Sequence, residues 1–187
     1  MTVATQTLSP LAYLFHERQS EIRSDYLDGQ VYQMAGASLS HNRLVGKLYT
    51  RLSNHLEQQG GDCEVLPSDM RVRIEDSYMY PDIVVVCGEP EIEDNDILLN
   101  PAIVIEVLSP STEAYDRGKK SKKFRTIESL KEYALVSQDS PSIEHYIRQP
   151  NNQWLLTESS GLDKTTTFPS IHCTLELSDI YRRIKFE

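Results

Sequence analysis

Cysteine is scarce in this chain, and the three cysteines, Cys63, Cys87 and Cys173, are widely spaced. An odd number at such spacings is not typical of a disulfide framework, and it lacks the paired short spacings of a zinc site. We therefore expect free, buried thiols in a protein of a reducing compartment. That expectation favours a cytoplasmic location.

Long apolar runs are also absent. The longest extends only from Ile83 to Cys87, whereas a membrane-spanning helix needs about 20 apolar residues. The first residues, MTVATQTLSPLAYLF, lack the basic start and the apolar block of a signal peptide. The sequence thus predicts a protein that is not associated with a membrane.

Several motifs with defined chemistry are missing. There is no glycine-framed G-x-S-x-G nucleophile, which argues against a serine hydrolase. There is no G-x-x-x-x-G-K-[ST] or G-x-G-x-x-G loop, so a nucleotide cofactor is not expected. Positive charge is in deficit, since the net charge is −9, and this argues against a general basic nucleic-acid binder.

What the sequence does contain is the pattern of one α/β (α+β) domain over residues 1–187, with residues 1–8 as a loose start. Ser9-Pro10 opens a helix to about Gln19, and an Asp28-Gly29 turn indicates a hairpin. Leucines recur every fourth residue in a second helix over residues 39–59. The later segments predict a central mixed sheet flanked by helices, with a β-rich C-terminal third. The expected strands are residues 63–66, 70–74, 80–87, 102–108, 133–137, 143–148 and 154–157.

Two carboxylates stand within the most apolar of these strands. Asp82 lies in the segment Tyr80–Cys87 and Glu106 in Ala102–Leu108. A buried carboxylate is costly unless it is hydrogen-bonded, paired or bound to a cation. If the strands are neighbours, both acids can point to the same face, where Mg²⁺ or Mn²⁺ would relieve their repulsion. The simpler alternative is that each acid accepts a hydrogen bond at a strand end.

A basic segment follows the acids. The sequence predicts a helix over Arg117–Ile127 with Asp116 as its cap. Lys120 shares a face with Phe124 and Ile127 at helical spacing, so it turns towards the core. It either reaches the acids or extends its ammonium back to solvent, and Lys123 is the second candidate for the same role. His41, at the start of the long helix, is either a site residue or an ordinary first-turn polar residue.

These residues carry a resemblance. Pro81-Asp82, Glu106-Val107-Leu108 and Lys120 resemble the PD-(D/E)XK nuclease signature with its lysine displaced. The order of the surrounding blocks is similar to that of the Uma2 family (DUF820) of restriction endonucleases, from about residue 20 to 160. The matching blocks are Asp25–Gly29, Met34–Ser38, His41–Arg43, Tyr80–Cys87, Glu106–Thr112, Asp116–Gly118, Lys120 and Glu132–Val136.

The resemblance implies a restriction endonuclease-like fold and a Mg²⁺-dependent phosphodiesterase site. Asp82 and Glu106 match the metal-binding acids, and Lys120 matches the lysine of the family. Two departures bear on activity. Leu108 stands where the wider superfamily has its lysine, and Asp25 stands where the family often has the longer glutamate.

The resulting hypothesis is that the protein is a metal-dependent endonuclease that hydrolyses nucleic acid, with DNA as the expected substrate. Further residues are expected to track the phosphate backbone, and a two-fold homodimer built through the C-terminal strands would allow both strands to be cut. The backbone-tracking residues are Lys119, Lys122, Lys123 and Arg125. The alternatives are a catalytically silent binding module on the same fold and a hydrolase of small phosphodiesters.

Overall fold

A computed structural model describes residues 8–34 and 36–186 of the chain. The predicted loose start therefore lies, for residues 1–7, outside the described residues. The helices predicted from Pro10 and over residues 39–59 are both close to those in the structure. Ser9 caps the first helix by accepting from the backbone of Ala12, and Gly60, with φ of 64°, ends the second. The helices are α1 (Pro10–Glu17), α2 (Leu39–Gln59), α3 (Glu113–Tyr115), α4 (Ser121–Phe124) and α5 (Leu177–Ile180).

The strands form two six-stranded sheets and one two-stranded ribbon. In chain order they are β1 (Ser24–Leu27), β2 (Gln30–Gln33), β3 (Cys63–Pro67), β4 (Arg71–Ile74), β5 (Ser77–Met79), β6 (Ile83–Cys87), β7 (Ile92–Glu93), β8 (Ile97–Leu98), β9 (Ile103–Val107), β10 (Glu132–Val136), β11 (Ser142–Arg148), β12 (Trp154–Ser160), β13 (Thr165–Phe168) and β14 (Cys173–Glu176).

The central sheet has the order β12-β11-β10-β9-β6-β3. It is mixed, because β9 and β10 run parallel while the other neighbours are antiparallel. The three inner strands β6, β9 and β10 are almost entirely buried, as expected for apolar strands covered on both faces. The predicted fold class is confirmed by this arrangement.

Each face of the central sheet has its own cover. On one face the leucine stripe of α2, from Leu44 to Leu56, packs with Ile83, Ile105 and the C-terminal segments. On the other face Val84 and Val104 pack against the second sheet and against Phe124. The alternation of side chains along a strand divides neighbouring residues between these two cores. The site described below opens at the edge of the second core.

The second sheet was not predicted. Its order is β2-β1-β5-β4-β8-β7. Pro81 separates β5 from β6, because proline cannot donate to a strand ladder, so the strand predicted over Tyr80–Cys87 begins only at Ile83. The acidic run Glu89–Asp96 contains β7.

The helix predicted over Arg117–Ile127 begins and ends earlier. α3, a π-helical segment Asp116–Lys120 and α4 follow one another without a break, and together we call them the composite helix. Asp116 therefore does not cap the start of the helix. It lies inside the composite helix, where both Asp116 and Lys120 are buried.

The prediction of free thiols was wrong for two of the three cysteines. Cys63 and Cys87 stand opposite each other in the β3–β6 register and form a disulfide. Only Cys173 is a free thiol, and it is buried. The wide sequence spacing gave no indication of this cross-strand pairing, and the argument for a reducing compartment loses its basis. Separately, none of the helices that the structure describes is long and apolar enough to cross a bilayer.

Candidate active site

Asp82 and Glu106 lie together where β6 begins and β9 ends. The strands are antiparallel neighbours, with Ile83 opposite Ile105. The backbone N–H of Val107 donates to Oδ2 of Asp82 at 2.7 Å, and the N–H of Asp82 donates to Oε2 of Glu106 at 3.4 Å. The strand pairing thus fixes both carboxylates at one end of the central sheet.

Lys120 reaches these acids from the composite helix. Its side chain is only 4% exposed, and its Nζ lies 3.0 Å from Oε1 of Glu106, 3.3 Å from Oδ2 of Asp25 and 3.9 Å from Oδ1 of Asp116. It also donates to the carbonyl of Tyr80 at 2.9 Å. The inward orientation expected from helical spacing is present, and the ammonium does not extend back to solvent.

Asp25 is brought to the same place by β1. Its carboxylate is fully buried, and Oδ1 accepts a hydrogen bond from the N–H of Tyr80 at 2.7 Å. Tyr80 therefore holds Asp25 through its N–H and Lys120 through its carbonyl. Despite being one methylene shorter than glutamate, Asp25 reaches the ammonium.

Burial dominates the electrostatics of this cluster. Desolvation raises the pKa of Glu106 and of Asp25 above the ordinary range, although Lys120 opposes the shift. Desolvation also raises the pKa of Asp116 from 3.8 to about 6. Burial by itself would lower the pKa of Lys120, but attraction by Asp25, Glu106 and Asp116 outweighs it and raises that pKa. The single positive charge of Lys120 is thus surrounded by more carboxylates than it can neutralise.

His41 joins the cluster from the first turn of α2. Ser38 caps this helix by accepting from the backbone N–H of His41, and Nε2 of His41 lies 3.2 Å from Oδ2 of Asp82. Burial would lower the pKa of His41, but its hydrogen bond and charge interaction with Asp82 raise it. His41 is therefore a site residue by position.

These side chains line one pocket of about 190 Å³. Four carboxylates face it, those of Asp25, Asp82, Glu106 and Asp116, together with Lys120 and His41. Sequence reasoning treated Asp116 only as a cap. Its spacing of four residues before Lys120 was the available signal, because that spacing places two helical residues on one face.

Comparison with known proteins identifies the family of the chain. A family model, Uma2, described as "Putative restriction endonuclease", matches residues 11–178. The chain belongs to the Uma2 family. The resemblance seen in the sequence motifs is thereby confirmed over most of the chain.

Two proteins similar in sequence and one similar in structure accompany this family match. Two uncharacterized proteins of Synechocystis are similar in sequence: slr1290, 36% identical over 96% of this chain and 94% of its own length, and sll1609, 40% identical over 86% and 93%. A crystal structure of a DUF820 putative nuclease from Anabaena variabilis superimposes with a TM-score of 0.79 at 19% identity, covering 93% of this chain and 97% of that one. At that identity the likeness establishes a shared fold.

The acids of this Uma2 chain fit a cation site that is completed by water or substrate better than one formed by protein side chains alone. Among residues 8–34 and 36–186, no group of three or more His, Cys, Asp or Glu side chains is placed to hold a metal ion by itself. Mg²⁺, however, is usually bound through one or two carboxylates, with water and substrate phosphate completing its shell. Asp82 and Glu106, both oxygen donors facing a pocket, meet that requirement.

Most of the basic segment is neutralised within the fold. Lys123, the second candidate for the catalytic lysine, pairs with Glu75 at 2.7 Å and Asp28 at 3.1 Å, and it does not line the pocket. Arg125 lies over the rings of Tyr146 and Trp154. Of the four predicted backbone-tracking residues, only Lys119 and Lys122 are exposed, and Lys119 donates to the hydroxyl of Tyr32 at 3.1 Å.

Proposed function

We propose that this Uma2 chain is a Mg²⁺-dependent nuclease that hydrolyses phosphodiester bonds, with DNA as its preferred substrate. The observation that carries the proposal is the pocket in which Asp82 and Glu106 face the buried ammonium of Lys120. A pocket that is open to solvent and has more carboxylates than amines suits the binding of a divalent cation. A cation bound there, together with the amine, would attract a phosphate.

Asp82 and Glu106 would hold Mg²⁺ or Mn²⁺, which supplies polarisation of the phosphate and a lowered pKa of bound water when present. Lys120 orients the attacking water and offsets the negative charge that develops on the phosphate. Glu106 and Asp25 position the ammonium of Lys120. His41 positions Asp82 through the 3.2 Å contact.

The placement of Lys120 supports its role in this proposal. Leu108, at the usual lysine position of the superfamily, is buried in the apolar core behind the site. The only cation within 4 Å of Glu106 among the described residues is Lys120. An amine supplied by the composite helix would thus replace one supplied by the strand.

Cleavage of both strands of a duplex in one binding event favours two such pockets related by two-fold symmetry, so the proposal includes a two-fold homodimer. β12 is an edge strand of the central sheet, and Leu155 and Leu156 on it are half-exposed. These features support the C-terminal strands as the dimer contact. Light scattering during size-exclusion chromatography tests it, and a monomer at working concentration would remove this part of the proposal.

The test of the hydrolytic function is cleavage of labelled duplex DNA, single-stranded DNA and RNA in Mg²⁺, Mn²⁺ or a chelator. We expect metal-dependent cleavage by the wild type and a loss of at least about 100-fold in Asp82→Asn. Asp139→Asn, at an exposed aspartate, is the matched control and should cleave like the wild type. Undiminished cleavage by Asp82→Asn would show that the activity does not come from this pocket.

The same assay separates the two alternatives. Turnover of a small diester such as bis-p-nitrophenyl phosphate without cleavage of any nucleic acid would favour the small-phosphodiester hydrolase. A silent module predicts neither reaction and no heat of Mg²⁺ or Mn²⁺ binding in calorimetry. The proposed nuclease predicts a heat of binding that Glu106→Ala abolishes.

A further inference from the structure

Four cations gather where α2 meets the residues that follow α5. Arg43 and Lys47 are one turn apart on α2 and therefore share a face. Nη1 of Arg43 donates to the carbonyl of Arg183 at 3.2 Å, which fixes the C-terminal segment against that face. Arg182 and Arg183 are exposed beside it. We call Arg43, Lys47, Arg182 and Arg183 the basic cluster.

The basic cluster has no carboxylate partner among the described residues. None of its four side chains forms an ion pair there, and Nζ of Lys47 is buried without a hydrogen-bond partner. Burial lowers the pKa of Lys47, repulsion by Arg182, Arg183 and Arg43 lowers it further, and the weaker attraction by Asp179 does not reverse the shift. The nearby Asp179 is engaged by Arg51 at 2.8 Å.

This arrangement contrasts with the rest of the molecule. The net charge of the chain is −9, and three of the five arginines and lysines of the composite helix pair with acids. Arg117, for example, contacts both Glu113 and Glu144. Like charges held close together repel one another, and an anion bound between them relieves that repulsion.

We propose that the basic cluster binds phosphate groups of a nucleic-acid backbone, as a second contact outside the catalytic pocket. This inference rests on the proposed function, because it names how the substrate of that pocket is held. Two exposed guanidinium groups match the paired oxygens of a phosphate, and the buried ammonium of Lys47 adds a fixed charge.

The position of the cluster suits this role. α2 carries His41, Asn42 and Val45 into the pocket and Arg43 and Lys47 onto another face. A helix with its side chains is about 10–12 Å across, and phosphates of one strand advance about 3.4 Å along a duplex axis. A duplex spans several such steps, so one that has its scissile phosphate in the pocket extends past α2 and can present a further phosphate to the cluster.

The test is binding of a fluorescent duplex of about 20 base pairs in chelator, followed by anisotropy over a range of salt concentrations. We expect Arg182→Gln combined with Arg183→Gln to weaken binding about tenfold or more and to reduce the salt slope by about two. Lys131→Gln combined with Lys164→Gln removes the same charge at exposed lysines elsewhere and should bind within about twofold of the wild type. Equal binding by the two double variants would overturn the inference.

Competition identifies the source of the phosphate. At matched ionic strength, inorganic phosphate and a mononucleotide should displace the duplex far less well than unlabelled duplex does. Efficient displacement by inorganic phosphate would make the cluster a small-anion site, and efficient displacement by polyglutamate would make it a general polyanion site. Either result would overturn the assignment to a nucleic-acid backbone.

A second variant guards against misfolding. Lys47→Met removes the buried, repelled ammonium, so we expect it to melt at or above the temperature of the wild type while binding the duplex more weakly. Wild-type binding by Lys47→Met would contradict the inference. The cleavage assay tests the nuclease proposal separately. If the wild type binds DNA through the basic cluster but does not cleave it, the nuclease proposal fails and the phosphate contact stands. If the wild type cleaves DNA but its binding does not depend on the cluster, the phosphate contact fails and the nuclease proposal stands.

Discussion

The ammonium of Lys120 lies 3.0 Å from a carboxylate oxygen of Glu106, although the two residues come from different elements of the fold. The strand that carries Glu106 ends at Val107, and the side chain of the next residue, Leu108, is buried in an apolar core. The amine beside this acid therefore comes from the composite helix. The predictions below concern this contact and the groups around it.

Removal of the Lys120 charge should destabilise the fold in a pH-dependent way. Lys120→Met leaves Asp25 and Glu106 buried without a cation, and loss of one partner of a buried pair costs about 3–5 kcal/mol. Both carboxyl groups have raised pKa values, so they take up protons as the pH falls. Urea unfolding should show a larger loss near pH 8 than near pH 5, whereas Lys122→Met should change stability by about 0.5 kcal/mol or less. Equal losses at both pH values would contradict the charge argument.

The pKa of His41 should depend on Asp82. In the wild type the contact with Asp82 raises this pKa against the effect of burial. Asp82→Asn removes the charge and leaves the burial, so the pKa of His41 should fall below the ordinary value of about 6.5. An NMR titration of the imidazole measures it, with Asp139→Asn as the control. An unchanged pKa in Asp82→Asn would show that His41 does not interact with this acid in solution.

Neutralisation of Asp116 should stabilise the folded chain at high pH. Its pKa is raised from 3.8 to about 6, so the unfolded chain releases this proton at lower pH than the folded chain. Stability contributed by the protonated form is therefore lost as the pH rises through about 6. Asp116→Asn, measured in chelator, should gain about 1–3 kcal/mol near pH 8 and nothing near pH 4. A loss near pH 8 would mean that attraction to Lys120 outweighs burial.

The cysteine pairing can be counted directly. Chain purified without reductant and unfolded in urea should show one reactive thiol, that of Cys173, because Cys63 and Cys87 are joined. Reduction should expose all three thiols. A disulfide that closes a loop of this length contributes about 3 kcal/mol, so Cys63→Ser should lower the free energy of unfolding by about that amount. Three thiols before reduction would contradict the pairing.

Much of the site could be predicted from sequence because its parts are locally encoded. Local sequence signals specify three of these parts. They are the leucine period of α2, the Asp28-Gly29 turn and the two apolar strands beside Asp82 and Glu106. The inward face of Lys120 followed from the positions of Phe124 and Ile127. These features needed no knowledge of distant parts of the chain.

Features that depend on tertiary assembly could not be predicted in the same way. β7 and β8 have two residues each, too few for any periodic signal. The disulfide and the basic cluster depend on strand register and on the return of the chain end to α2. Lys123 was a reasonable candidate by spacing, but its position beside Asp28 and Glu75 is set by the second sheet.

The most direct test of the nuclease proposal is the single-turnover rate of DNA cleavage in Mg²⁺ for the wild type, Glu106→Gln and Glu89→Gln. Glu106 is buried in the pocket and Glu89 is exposed, so the two variants make the same chemical change in different surroundings. We expect Glu106→Gln to lose at least about 100-fold in rate and Glu89→Gln to retain the rate of the wild type. Cleavage by Glu106→Gln at the wild-type rate would contradict the proposal.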